Sequence, residues 1–130
     1  LHHRLHAIPA PTGGVVIHLD LHPGNVILSE SRGPVLIDWA NARGGAASLD
    51  TATTALIVAE VAVDAGGDYS QAARALLAAF VGAVDEPFLP SLDEAIDMRC
   101  HDPALIAGEC DLVEPAGALV RTFAELAAHR

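Results

Sequence analysis

At Ser48 the hydrophobic pattern of this 130-residue chain changes. Upstream, apolar residues fall in short β-branched or leucine-rich runs bounded by turn residues. Downstream they recur three and four apart in alanine-rich segments that continue to the end. The first pattern suits short strands and the second suits helices. The chain therefore reads as one α+β domain over 1–130, a small β region in 1–47 and a helical subdomain in 48–130.

Within the first part, Leu1, Leu5 and Ile8 have helical spacing, and Pro9 and Pro11 end that segment. Three strands are expected at Val15–Leu19, Asn25–Ser29 and Pro34–Asp38, separated by His-Pro-Gly and Glu-Ser-Arg-Gly, with the last two forming a hairpin. Four helices are expected at about 48–64, 69–84, 91–99 and 112–128. Gly66-Gly67, Pro87 with Pro90, and residues 103–108 divide them. Asp68 or Ser70 is expected to cap the second helix, and Ser91 with Glu94 to form a capping box on the third.

An apolar content of 52% suffices for a buried core and argues against disorder. The formal charge of −10 repels phosphate backbones and anionic headgroups, which argues against nucleic-acid and membrane-surface partners and favours a cationic one. The apolar run Ala55–Ala59 stops at Glu60 and is too short to span a bilayer, and residues 1–9 lack the apolar core of a signal peptide. Cys100 and Cys110 form neither a redox pair nor a zinc framework, so free thiols in a cytoplasmic protein are expected.

The chemistry lies in His18-Leu19-Asp20-Leu21-His22-Pro23-Gly24-Asn25 and, thirteen residues on, Asp38. Phosphoryl transfer needs a carboxylate beside the acceptor hydroxyl and oxygen ligands that hold magnesium against the phosphates. The spacing from His18 through Asp20 to Asn25 matches the kinase catalytic loop H-R-D-L-x-x-x-N, with Leu19 in place of arginine. A strand delivers Asp20 into a loop, Pro23-Gly24 turns Asn25 towards the same cleft, and the hairpin returns Asp38.

HLDLHPGN (His18–Asn25) resembles the HGDLHPGN signature of aminoglycoside phosphotransferase and choline-kinase-like enzymes. IDWANARGGAASLD (Ile37–Asp50) resembles that family's IDW-x-x-A-x-x-G-D-P-x-x-D segment. The resemblance covers residues 1 to about 60. It implies a mostly helical kinase-like C-terminal lobe whose hairpin region bears the catalytic loop. Asp20 would be the base, Asn25 and Asp38 the Mg²⁺ ligands, and His18, His22 and Asp50 supports of the loop. ATP or GTP would be the phosphoryl donor and a small hydroxyl compound, such as an aminoglycoside, the acceptor.

Two positions depart from the family pattern: Leu19 replaces glycine, and Ala46-Ala47 replace Asp-Pro. The chain also has no lysine, and all seven basic residues are arginines. Kinases of this architecture hold the nucleotide phosphates with a lysine on an N-terminal lobe. That lobe is therefore expected to lie outside this sequence, to leave the isolated chain inactive, and to uncover apolar surface that favours self-association.

Other readings follow from the same residues. His18, Asp20 and His22 alternate along an extended segment and could bind a transition metal, as in a hydrolase. The remaining histidines, His2, His3, His6, His101 and His129, fall in no ligand spacing with them. A degenerate lobe acting as a non-catalytic, pseudokinase-like binding module is the other alternative. Asp38 could merely begin a turn, and Asp50 could be a helix N-cap. Trp39 is expected to be a packed aromatic and not a substrate platform, and Tyr69, Phe80, Phe88 and Phe123 are expected to lie in the core. Asp93, Glu94, Asp97, Asp102, Glu109, Asp111 and Glu114 read as a solvated face, with Asp93 and Glu94 as candidates for binding a cationic acceptor.

Overall fold

The computed structural model describes residues 1–64, 67–101 and 110–128. Gly66, residues 103–108, Asp102, Glu109 and His129, on which some of the expectations fall, lie outside them. The described elements are α1 (His2–Leu5), β1 (Val15–Ile17), β2 (Val26–Ser29), β3 (Gly33–Leu36), β4 (Arg43–Gly45), α2 (Ala47–Val63), α3 (Ser70–Ala83), α4 (Leu92–Cys100) and α5 (Cys110–Ala128). Short 3-10 turns precede β2 (Pro23–Asn25) and α4 (Leu89–Ser91). The α+β character, the β2–β3 hairpin and four long helices near their expected bounds are all present.

The four strands form two separate antiparallel pairs. β2 and β3 pair from Val26 opposite Leu36 to Ser29 opposite Gly33. β1 pairs with β4, Val15 opposite Gly45 and Ile17 opposite Arg43. The sequence reading missed β4, and glycine explains why. A side chain at Gly44 would have its Cβ 2.6 Å from the Gly13 carbonyl oxygen, so close backbone approach, and not strand propensity, calls for glycine there.

Helix α2 is the centre of the molecule. It is apolar nearly all round, as a helix enclosed by others must be, and it packs against α3, α4 and α5. Alanines 52, 55 and 59 let neighbours approach, while Leu56, Leu77, Leu92, Val113 and Val120 fill the space between helices with no exposure. Thr51 and Thr53 satisfy their buried hydroxyls on the carbonyls one turn back, Ala47 and Leu49. The buried Glu60 carboxylate takes two hydrogen bonds from the Arg99 guanidinium, 2.9 and 3.0 Å, a fork that compensates its desolvation.

Several expectations are corrected. Neither Asp68 nor Ser70 caps α3; Tyr69 occupies the N-cap position without a side-chain bond. Ser91 is the N-cap of α4, but its hydroxyl bonds Ser48 Oγ at 2.7 Å, so no capping box forms. Tyr69 is exposed and not core. Cys100 and Cys110 are joined in a disulfide between the end of α4 and the start of α5, where free thiols were expected. Their Cα atoms lie 5.1 Å apart, within the ordinary range for a bridge. Among the described residues, no helix is long and apolar enough to cross a membrane.

Candidate active site

Val15–Ile17 ends at His18, and from there the chain is positioned by polar side chains bonding to backbone. Asp50, in the first turn of α2 and fully buried, reaches back across the core. Its Oδ1 accepts the Leu19 N–H at 2.8 Å, and its Oδ2 accepts the His18 N–H at 3.0 Å. A third donor, His6 Nε2, lies 2.8 Å from the same Oδ2. Asp50 therefore braces the loop and is not an N-cap, a position that Ala46 takes.

His18 links the loop to the hairpin, and its partners fix its tautomer. The Asp20 N–H donates to Nδ1 at 3.1 Å, so that nitrogen carries no proton. Nε2 must then carry it, and it donates to the Ile37 carbonyl at 2.9 Å. Both ring nitrogens are used, which removes His18 from the alternating metal-ligand set considered from the sequence. The Trp39 indole packs edge-to-face with the same ring, with centroids 4.9 Å apart.

The Asn25 amide is oriented by similar reasoning. Its Nδ2 lies 2.8 Å from the Asp20 carbonyl and 3.0 Å from Asp20 Oδ2, two acceptors, so the NH₂ group must face Asp20. The amide oxygen points away and accepts no hydrogen bond from any described residue. Gly24 N–H donates to His22 Nδ1 at 3.1 Å, which leaves the ring proton on Nε2, 3.3 Å from Asp20 Oδ1. The Asp20 side chain, 26% exposed, is thus held from two sides yet remains accessible.

Asp38 follows directly on Ile37. The Ile37 N–H donates to the Asn25 carbonyl at 2.9 Å and its carbonyl takes His18 Nε2, so the backbone just before Asp38 is tied to both ends of the loop. The Asp38 side chain is exposed and accepts no hydrogen bond from a described residue. Two free oxygen donors, the Asn25 amide and the Asp38 carboxylate, are the hard ligand set that Mg²⁺ prefers.

Leu19 and Asp38 are the only non-glycine residues among those described with positive φ, 67° and 60°. Such conformations cost an L-residue roughly 1–2 kcal/mol and gather at functional sites. Leu19 is also where the resembling sequences carry glycine, the residue free of that cost. Ala46, where they carry Asp, is the N-cap of α2 and makes no side-chain cap bond, and Ala47 occupies the first helical position, where proline is favoured. Both departures thus fall on positions with a definable backbone role.

The sequence reading missed His2 and His6. Their four-residue separation was the available signal, but their partner Asp50 is forty-four residues beyond His6. The two rings stack with centroids 5.1 Å apart. Burial pushes the His2 imidazole down to about 4; Asp50 opposes this, while His6 and His18 add to it. Of the acidic candidates, Asp93 lines a cavity of about 470 Å³ with Asp97 and Glu114 but is ion-paired with Arg121, and Glu94 does not line it.

Asp20 is thus an accessible carboxylate beside an oriented amide, and Asp38 is a second exposed carboxylate two residues beyond β3. Residues 2–86 match the phosphotransferase enzyme family (APH), and the chain belongs to that family. Comparison with curated proteins and with solved structures gives no match.

Proposed function

We propose that this chain is the kinase-like C-terminal catalytic lobe of a phosphotransferase that moves the γ-phosphoryl group of ATP to a hydroxyl of a small acceptor. The nucleotide-binding lobe lies outside this sequence. The observation that carries the reading is the setting of Asn25: its nitrogen on Asp20, its oxygen free, and its backbone carbonyl on Ile37 beside Asp38. Asn25 Oδ1 and the Asp38 carboxylate would hold Mg²⁺, which offsets phosphate charge during transfer. Asp20 accepts the acceptor's hydroxyl proton as that oxygen bonds the γ-phosphorus and the bond to the ADP oxygen breaks. His22 and Asn25 keep the Asp20 carboxylate aimed, and Asp50 with His18 holds its backbone.

The test is Asp20→Asn in the full-length protein, with transfer from labelled ATP followed over a panel of aminoglycoside, choline and sugar acceptors. A fall of at least about 10²-fold in kcat is expected. Transfer at the parental rate would remove the base assignment. For the acceptor, Asp93→Asn is expected to raise KM for cationic compounds more than for neutral ones, and an equal change removes the cationic-pocket reading. The strained Leu19 favours one second reading, a binding module without turnover; nucleotide binding with no transfer in the parental protein would support it.

A further inference from the structure

The side chains of His2, His6 and Asp50 converge beneath the catalytic loop, and the geometry points to a transition-metal site of the Zn²⁺ class formed by His2 Nε2, His6 Nε2 and Asp50 Oδ2. The three ligand atoms lie within 4.8 Å of one another. His6 Nε2 is 2.8 Å and His2 Nε2 3.9 Å from Asp50 Oδ2. Bonds of 2.0–2.2 Å in tetrahedral geometry put ligand atoms roughly 3.4 Å apart, a value these distances bracket. These two distances need adjustments of about half an ångström, and the separation of the two imidazole nitrogens, at most 4.8 Å, closes by up to about 1.4 Å when the ion is seated.

Other features suit the same ligand. His2 and His6 are four residues apart, so α1 and its last turn present both rings on one side, each side chain only 12% exposed. Two imidazoles with one carboxylate select a borderline ion such as Zn²⁺ over Mg²⁺, which takes oxygen ligands. Asp50 is already oriented by the His18 and Leu19 N–H groups, the kind of outer support that ligating carboxylates have. His2 and His6 both line a cavity of about 580 Å³, which leaves a fourth coordination position open to water or a small ligand.

Binding replaces the proton between His6 and Asp50 by the metal, and the His6 proton moves to Nδ1, so no net proton is lost from a neutral ring. Thr54 Oγ1, 3.2 Å from His2 Nε2, gives up that contact. Because Asp50 is shared, an ion here grips the backbone of the catalytic loop without touching Asp20, Asn25 or Asp38. The inference does not depend on phosphoryl transfer.

The experiment titrates the purified chain with Co²⁺ in the presence of excess Mg²⁺, read by the visible absorption of tetrahedral Co²⁺, followed by displacement with Zn²⁺. One equivalent is expected to bind, His2→Gln and His6→Gln are each expected to weaken binding at least about tenfold, and His3→Gln and His22→Gln are expected to leave it unchanged. Should a ligand variant fail to fold, imidazole ¹⁵N spectra of the parental protein decide: Zn²⁺ shifts Nε2 of His2 and His6 and leaves His18 in place. Absence of Co²⁺ binding, binding that survives both ligand variants, or binding lost with His3→Gln or His22→Gln overturns the site.

Discussion

From β1 to β3 the chain is positioned by side chains that bond to backbone, whereas from α2 to α5 it is positioned by apolar contact. His18, Asp20, Asn25 and Asp50 each hold a specific backbone or side-chain atom at 2.8–3.1 Å. Leu56, Leu77, Leu92, Val113 and Val120 instead fill shared volume, and a neighbour of similar size could replace any of them. The difference teaches where precision resides. Burial supplies most of the free energy but little directionality, and a site that must place oxygens within tenths of an ångström takes its geometry from hydrogen bonds.

Several variants sharpen the contrast. The largest effect is expected from Asp50→Ala, which leaves two buried N–H groups without an acceptor and should cost about 4 kcal/mol in urea unfolding. A loss below about 1 kcal/mol would show that water takes over the brace. Leu56→Ala in the apolar half should cost about 3 kcal/mol while leaving the His18 imidazole ¹⁵N signals unmoved; displaced signals would mean the two regions are not separable.

A smaller effect comes from pH. His2 is lowered from 6.5 to about 4, so the unfolded chain binds more protons between those values and stability is lost as pH falls through that window, by up to about 3 kcal/mol. Asp50, His6 and His18 all face this ring, so the loss is read as the difference between the parental protein and His2→Gln. A difference that stays constant from pH 7 to pH 4 would exclude His2 as its origin.

Two smaller changes probe the departures from the family pattern. Ala46→Asp should supply the missing cap of α2 and raise stability by about 1 kcal/mol. At Leu19 the usual order of residues should invert. Leu19→Ala and Leu19→Gly both lose the buried side chain, but only glycine relieves the positive φ, so the glycine variant should be the more stable by about 1 kcal/mol. The opposite order in thermal melts would mean that φ relaxes in solution.

What the sequence disclosed and what it hid follow from the same division. The four long helices were legible because apolar spacing is a local signal, and the β2–β3 hairpin was legible because Gly33 and its neighbours carry turn chemistry. Strand β4 was hidden because Arg43-Gly44-Gly45 is shaped by the close approach of the Gly13 backbone and not by propensity. Asp20, Asn25 and Asp38 could be singled out by spacing and family resemblance, but the orientation of the Asn25 amide and the tautomer of His18 depend on atoms brought together by tertiary structure. The exposure of Tyr69 and the Cys100–Cys110 bridge were hidden for a related reason, since neither composition nor spacing states which helix lies alongside.

The brace from Asp50 also bears on the order of events in folding. The carboxylate and the amides it holds are more than thirty residues apart, so the loop cannot take its shape until the first turn of α2 has docked against the end of β1. Long-range closures of this kind come late, after local helical contacts have formed. Substitutions at His18 and Leu19 should therefore accelerate unfolding and barely slow refolding, which makes the candidate catalytic loop the last part of the protein to be assembled and the first to be lost.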